Sequence, residues 1–321
     1  MPPHRARPRI QPTVIIAIMA LLAGGLVWLA ATGWKMAVHK LAADRAARRV
    51  AALRAHFTNS LGMVFIRVPH TEVLFSIWKT RVQDFASFVQ STGRDMHGRV
   101  FGLGPNGWVG TGATWSAPGF TQTPTCPVCC VNWEDAAAFC DWLTQKERAE
   151  GDLPPDQGYR LPTDAEWTAA VTKMKFPWGS QWPPLPDTAN LGGEEIAADA
   201  QAGGFPPLKG YRDSFAHTSP VGTFPANPHG LFDMAGNVQE WCADWFRKEM
   251  NSEEFRRKHP QLNRDGGGQS YRVLRGSDWL DHDAGRIASA THQFYSPQVR
   301  MVTVGFRVVL AVDSPPGAAQ N

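Results

Sequence analysis

An uncharged run of 18 residues near the N-terminus, Val14 to Ala31, constrains this chain more than any other sequence feature. A helix of that length and hydropathy crosses the hydrocarbon core of a bilayer, which is about 30 Å thick. The pattern therefore predicts a transmembrane signal-anchor at 13–34, preceded by a basic segment at 1–12. A cleaved signal peptide is the alternative, because three arginines stand before the run and form a basic leader. After the anchor, 35–55 is rich in Ala, Leu and Arg, which predicts a helical stalk.

The first 55 residues are strongly basic, whereas the rest of the chain is mildly acidic. The first 55 residues carry nine Lys or Arg and one acidic residue, and the formal net charge of the whole chain is +3. The rest of the chain is therefore mildly acidic, with a net charge of −5. Nucleic-acid binding needs clustered cations that replace counterions on the phosphates. Nucleic acid is excluded as a partner.

Tryptophan, glycine and proline set the expected character of the folded part. The chain has 13 Trp, 30 Gly and 25 Pro. Large aromatic side chains supply core area, whereas Gly and Pro interrupt regular elements with turns. We expect one α+β domain at 56–312 with little regular secondary structure, followed by a disordered tail at 313–321.

A few regular elements are nevertheless indicated by local patterns. An apolar run rich in β-formers predicts a strand at 62–69. Capping patterns predict three helices, which begin after Thr80, Asn132 and Thr163. A last apolar run predicts the closing strand of the core at 306–310.

Five short segments stand in a fixed order along the domain and are each too weak to identify it alone. They are Pro127–Trp133, Tyr159–Trp167, Gly230–Trp241, Arg275–Trp279 and Gly305–Arg307. Their order, spacing and shared Trp and Gly positions resemble the formylglycine-generating-enzyme, or sulfatase-modifying-factor, family. The resemblance implies a compact, irregular C-type-lectin-like fold and an oxidase that converts a substrate cysteine to formylglycine.

The resemblance also implies two structural calcium sites. The first would use two side chains and two backbone carbonyls from one Gly-containing loop: Asp233, Glu240, Gly236 and Val238. The second would use the same kinds of ligand from two segments: Asn190, Asp213, Leu191 and Phe215. Two carboxylates seven positions apart on a tight loop can wrap a hard cation. The alternative is that Asp233 and Glu240 cap a turn without any ion.

The catalytic part of the resemblance fails. Family oxidases carry two cysteines shortly after an Arg-Gly-Gly-Ser stretch, and their thiolates hold Cu(I). In this chain Arg275-Gly276 is followed by 277–284 without a cysteine, and no cysteine follows Cys242. We expect no copper site, and the sequence leaves open whether any enzymatic activity is retained.

A different metal chemistry is the alternative for this region. Asp281, His282 and Asp283, with His292 and Tyr295 nearby in the sequence, offer oxygen and nitrogen ligands that suit iron or zinc. We favour the interpretation that these residues bind no metal, because an Asp-His-Asp stretch in a polar loop usually belongs to the surface or to a turn. Of these, Asp281, His282 and His292 are the weak catalytic candidates.

The five cysteines do not form a disulfide framework, because their number is odd and their spacing is uneven. Cys126 and Cys129 make a C-x-x-C that we interpret as a disulfide or as buried thiols. Cys129 and Cys130 would point to opposite faces of a strand. Cys140 and Cys242 lie at positions that indicate packing.

The orientation of the anchor follows from two opposing indications. Six Lys and Arg follow the apolar run within 35–55 and three arginines precede it, a count that alone places the domain in the cytoplasm. Long C-terminal domains translocate largely regardless of this count, and the resemblance favours export. We expect a single-pass membrane protein with an extracytoplasmic or periplasmic domain.

The expected function is that of a non-oxidase binding or scaffold module for a protein, peptide or glycan ligand, because fold does not carry function when the reactive groups are missing. The alternative is a family enzyme with an altered active site. That enzyme would be a metal-dependent oxidoreductase or a formylglycine generator.

Overall fold

The structure, a computed structural model, describes residues 57–104, 106–196, 205–247 and 271–312. These residues belong to one compact unit of the chain. The predicted anchor, stalk and tail lie outside them and stay predictions. Within the described ranges, no helix has the length and hydropathy of a membrane span.

Short strands and few helices build the described part of the chain. The strands are β1 Phe57–Thr58, β2 Val64–Arg67, β3 Val73–Ser76, β4 Val100–Gly104, β5 Gly107–Thr111, β6 Gln157–Arg160, β7 Gln239–Trp245, β8 Arg272–Arg275, β9 Gln293–Tyr295, β10 Arg300–Met301, β11 Val304–Phe306 and β12 Val309–Val312. The helices are α1 Val82–Thr92, α2 Trp133–Glu150, α3 Asp164–Val171 and α4 Ala284–Ile287, with a 3₁₀ turn at Glu194–Ile196. The expectation of a mixed, sheet-rich domain with few helices is confirmed.

The strands form three small sheets. An antiparallel five-stranded sheet has the order β1-β2-β3-β12-β6, and a three-stranded sheet has the order β10-β4-β5. A four-stranded sheet has the order β11-β7-β8-β9, in which β11 runs parallel to β7. β2 confirms the strand predicted at 62–69.

The single closing strand predicted at 306–310 is wrong. The chain leaves β11 at Phe306 and enters β12 at Val309, in a different sheet. At the break the guanidinium of Arg307 turns into the core, where it donates to the Ser76 carbonyl at 2.9 Å and to the Phe232 carbonyl at 2.7 Å. The chain therefore passes from one sheet to another at Arg307 and Val308 instead of continuing a single strand.

Two of the three predicted helix starts are confirmed by their caps. The side chain of Asn132 accepts from the Asp135 amide at the start of α2, and Thr163 accepts from the Glu166 amide at the start of α3. The first helix starts one residue later than predicted, after Arg81. Its amide donates to Asp84 at 2.9 Å. The Thr80 amide instead donates to the Phe306 carbonyl.

The core lies between the helices and the sheets. α2 packs against β6 and α1, and α3 packs against β7 and β8. The motif tryptophans Trp167, Trp241 and Trp279 are among the largest fully buried side chains. Their burial confirms that large aromatics supply core area in a domain with short elements.

Candidate functional site

A tight loop before β7 carries the first predicted calcium ligands. Asp233, Gly236 and Asn237 have positive φ angles of 56°, 79° and 64°. A side chain at Gly236 is sterically excluded, because a Cβ there would stand 2.8 Å from the Asn190 carbonyl carbon. The Asn237 amide donates to the Asn190 carbonyl at 2.9 Å. The loop is thus held directly against Asn190, a ligand predicted for the other site.

Glu240 follows this loop and is completely buried in a set of cationic and polar donors. Its Oε1 lies 2.8 Å from Lys79 Nζ and 3.0 Å from Arg307 Nη2. Its Oε2 accepts from Trp167 Nε1 at 3.0 Å and from Arg307 Nε at 3.1 Å. Burial alone would raise the pKa of Glu240, but the charges of Arg307 and Lys79 outweigh it and lower the pKa to about 2.

These residues do not fit a calcium ion, and the sequence-based assignment of the 233–240 site needs correction. Lys79 Nζ also donates to the Val238 carbonyl at 2.6 Å, so that two of the four predicted ligands contact the ammonium. Asp233 uses one carboxylate oxygen to accept from the Gly222 amide at 2.9 Å. A calcium ion takes six to eight oxygen ligands, and a cationic ammonium already contacts two of the four predicted here. Lys79 was missed because it lies 159 residues from Val238.

The 190–215 site has the opposite character and fits a hard cation. The Asn190 Oδ1 atom is buried and has no hydrogen-bond partner, although its amide nitrogen donates to the His217 carbonyl. Asp213 is 1% exposed and accepts from the backbone amides of Leu191 and Phe215 at 2.8 and 2.9 Å. Both predicted side-chain ligands therefore lie in one place, and one of them holds an orphaned oxygen.

Two further acidic side chains act on Asp213. Burial, with repulsion from Glu195 and Asp187, raises the pKa of Asp213 to about 7 against the lowering effect of its amide donors. Glu195 accepts from the Asp213 amide through Oε1, and its Oε2 is buried without a partner. Glu195 was not predicted to belong to this site. Glu195 lies in the 3₁₀ turn at Glu194–Ile196, which brings it close to Asp213.

The segment after Arg275-Gly276, which the sequence predicts to lack a copper site, is filled by polar side chains. Asp278 is buried and accepts from Gln239 Nε2 at 2.6 Å, while Asp281 pairs with Arg286. Burial and the neighbouring Asp281 raise the pKa of Asp278 to about 8. Arg286 also donates to Gln293 at 2.7 Å. The segment is therefore a connected polar network and not an open thiol site.

The three weak catalytic candidates contact different groups. Asp281 pairs with Arg286, whereas His282 Nδ1 lies 3.3 Å from the Leu280 carbonyl. His292 Nε2 lies 3.0 Å from the Asp164 carboxylate. In the described part of the chain, no group of three or more His, Cys, Asp or Glu side chains is placed to hold a metal ion. The described residues therefore do not fit the iron or zinc alternative. The 190–215 site is not affected by this result, because Asp213 is the one His, Cys, Asp or Glu among its predicted ligands.

All five cysteines are buried free thiols, which is one of the two forms expected for the C-x-x-C pair. The prediction that Cys129 and Cys130 point to opposite faces is wrong, because Cys130 has a φ of 61° and the two Sγ atoms lie 3.7 Å apart. Burial raises the pKa of Cys140 and of Cys242. Such thiols are poor nucleophiles and poor metal ligands.

An open pocket lies beside the polar network. It has a volume of about 400 Å³ and is lined by parts of β4, the loop after β5, and Trp279. Phe120 stacks on His217 at 4.4 Å, and both rings make edge contacts with Trp279. The floor of the pocket is therefore aromatic, and its rim includes the small residues Gly112 and Ala113.

The structure and the motifs together define a sheet-rich α/β domain of the sulfatase-modifying type, in which no cysteine follows Cys242. The family model for the sulfatase-modifying factor enzyme 1-like domain matches residues 67–312. The chain belongs to this family.

Named relatives include both active and inactive members. The chain is 30% identical over 280 residues to a formylglycine-generating enzyme of Streptomyces coelicolor, covering 76% of this chain and 81% of the relative. It is 30% identical over 219 residues to the inactive C-alpha-formylglycine-generating enzyme 2 of Bos taurus, covering 64% of this chain and 58% of that protein. The structure of PvdO from Pseudomonas aeruginosa superposes with a TM-score of 0.52 at 22% identity, covering 75% of this chain and 80% of the other. That last similarity concerns the fold alone.

Proposed function

We propose that this chain is a membrane-tethered, extracytoplasmic binding domain of C-type-lectin-like fold that does not oxidise its ligand. The observation that carries the proposal is the network at 278–286. Its carboxylates and Arg286 follow Arg275-Gly276, the stretch after which the resemblance implies two copper-binding cysteines. Carboxylates and guanidinium do not bind Cu(I), which prefers sulfur ligands. The inactive relative in Bos taurus supports the same interpretation.

An extended peptide is the ligand class that the surface supports best. β5 ends its three-stranded sheet within the described residues, with β4 as its neighbour. Two adjacent side chains of β5 are exposed and apolar, Trp108 at 36% and Val109 at 40%. An exposed strand edge accepts a further strand through backbone hydrogen bonds, and an adjacent pocket selects one of its side chains. The aromatic pocket lies at the end of β5 and supplies that selection.

The loss of oxidase chemistry is tested with the purified chain reconstituted with Cu(I) under reducing conditions. We expect no oxygen consumption and no formylglycine in a Cys-x-Pro-x-Arg peptide, measured by mass spectrometry. Turnover above the rate of free Cu(I) would refute the proposal.

The binding site is tested by blocking the pocket without disturbing the fold. A Cβ at Gly112 meets nothing within 4 Å, so that this position tolerates a side chain. We expect peptides selected from a random library on the wild-type chain to lose binding to Gly112→Trp, which fills the pocket. The matched control Gly112→Ala adds one methyl group and should bind normally. Equal binding by both variants would show that the pocket is not the site.

We also propose that the 190–215 site binds calcium through the side chains of Asn190 and Asp213 and the carbonyls of Leu191 and Phe215. The orphaned Asn190 oxygen and the uncompensated Asp213 charge support it. Calcium bound only by the folded state raises the melting temperature in proportion to the logarithm of its concentration. We expect such a rise in the wild-type chain and none in Asp213→Asn, where the charge is removed at constant shape. A rise of equal size in both would defeat the assignment.

A further inference from the structure

Lys79 is an unusual residue in this core because its side chain is 0% exposed. It follows β3 and reaches the loop before β7, where its ammonium contacts the Val238 carbonyl at 2.6 Å and Glu240 Oε1 at 2.8 Å. Both partners belong to the predicted calcium loop. Lysine is almost never completely buried unless it is paired, so that its presence here requires a specific role.

The charges of this cluster are balanced without any ion. Lys79 and Arg307 carry two positive charges, and Glu240 and Asp233 carry two negative charges when ionised. A divalent cation would leave two excess positive charges in a fully buried environment, where desolvation makes an uncompensated charge very costly. The cluster is therefore complete with the residues of the chain.

Both oxygens of Glu240 are also fully used. Oε1 accepts hydrogen bonds from Lys79 and Arg307, and Oε2 accepts them from Trp167 and Arg307. The three ammonium protons of lysine can point at separate oxygens, which suits a carbonyl and a carboxylate at different angles. A calcium ion in the same space would have to displace at least one of these donors and leave its charge unpaired.

We infer that the Lys79 ammonium takes the place of a metal ion at the 233–240 loop, so that the chain closes this loop with its own cation. The domain then has one open cation position, at 190–215, and one that is permanently filled. The inference does not depend on the calcium proposal for 190–215. A chain that binds no calcium would refute that proposal and agree with this one.

The metal content of the folded chain tests the inference directly. After removal of metal with a chelator, the wild-type chain and Asp213→Asn are dialysed against calcium, and bound calcium is measured by mass spectrometry. We expect at most one calcium per wild-type chain and none in the variant. Two calcium ions bound per wild-type chain would overturn the inference.

The stabilising role of the ammonium is tested in the presence of chelator. Lys79→Met keeps the length of the side chain and removes its charge, which leaves Glu240 short of one partner. We expect the melting temperature to fall by roughly 6–20 °C. The matched control Lys173→Met changes an exposed lysine and should alter the melting temperature by no more than about 2 °C. A Lys79→Met chain that melts with the wild type would overturn the inference, because an ammonium that replaces a structural ion cannot be dispensable.

Discussion

The contact between the 233–240 loop and Asn190 makes Gly236→Ala the most informative single substitution in this domain. Gly236 has a φ of 79°, and an alanine in this left-handed region costs about 1–2 kcal/mol. The added methyl would also stand 2.8 Å from the Asn190 carbonyl carbon, closer than non-bonded atoms allow. Overpacking of this kind costs about 1–3 kcal/mol more. We expect Gly236→Ala to lose about 2–5 kcal/mol of unfolding free energy.

Gly93→Ala is the matched control because it isolates the backbone contribution. Gly93 ends α1 with a φ of 62°, and a Cβ there meets nothing within 4 Å. Only the cost of the left-handed conformation applies, about 1–2 kcal/mol. Urea unfolding followed by tryptophan fluorescence measures both variants, since the motif tryptophans are buried.

The calcium response gives a second readout that a general loss of stability would not change. In Gly236→Ala the Asn190 backbone has to move, and this displaces a predicted calcium ligand. The increase in melting temperature caused by calcium should therefore shrink in Gly236→Ala and stay complete in Gly93→Ala. Equal losses of unfolding free energy in the two variants would refute the steric part of the reasoning. An unchanged calcium response in Gly236→Ala would refute its link to the cation site.

Three further predictions concern the thiols, the polar network and the anchor. None of the five cysteines should react with a thiol reagent such as DTNB while the chain is folded, because all are buried, and all five should react in denaturant; fast labelling of the native chain would contradict this. Burial and Asp281 raise the pKa of Asp278 from 3.8 to about 8, so that the wild-type chain should lose stability as the pH rises between these values. Asp278→Asn should show a flatter dependence in urea unfolding at pH 6 and pH 9, and parallel slopes would rule out Asp278 as the cause. The full chain should stay in the membrane pellet after an alkaline carbonate wash, and a chain lacking 13–34 should not; release of the full chain would reject the anchor.

The features that the sequence predicted well are those fixed by neighbouring residues. Asn132 and Asp135 cap α2 reciprocally at a spacing that is visible in the sequence, and so do Thr163 and Glu166. Capping depends on side chains three positions apart and on no distant contact. The burial of the motif tryptophans could likewise be predicted from the size of their side chains, without knowledge of any distant contact.

The features that the sequence did not predict depend on contacts between distant segments. The carboxylates of 233–240 look the same whether their cation is a metal ion or an ammonium from Lys79, because only the folded chain brings that lysine to them. Glu195 reaches Asp213 in the same way, across a turn. The position of the Cys129 and Cys130 thiols was mispredicted for a different reason, since a positive φ at Cys130 is not expected of a non-glycine residue.

Backbone hydrogen bonds connect the two predicted cation sites to the polar network and to the aromatic pocket. The Gly192 amide, next to the predicted ligand Leu191, donates to the Asp281 carbonyl at 2.9 Å, and the Trp279 amide donates to the Asn237 carbonyl at 3.0 Å. The segment of the proposed 190–215 site is thus joined to the polar network, and the 233–240 loop is joined to Trp279 of the pocket. Because Lys79 cannot dissociate, the wall that contains Trp279 is held whether or not calcium is present.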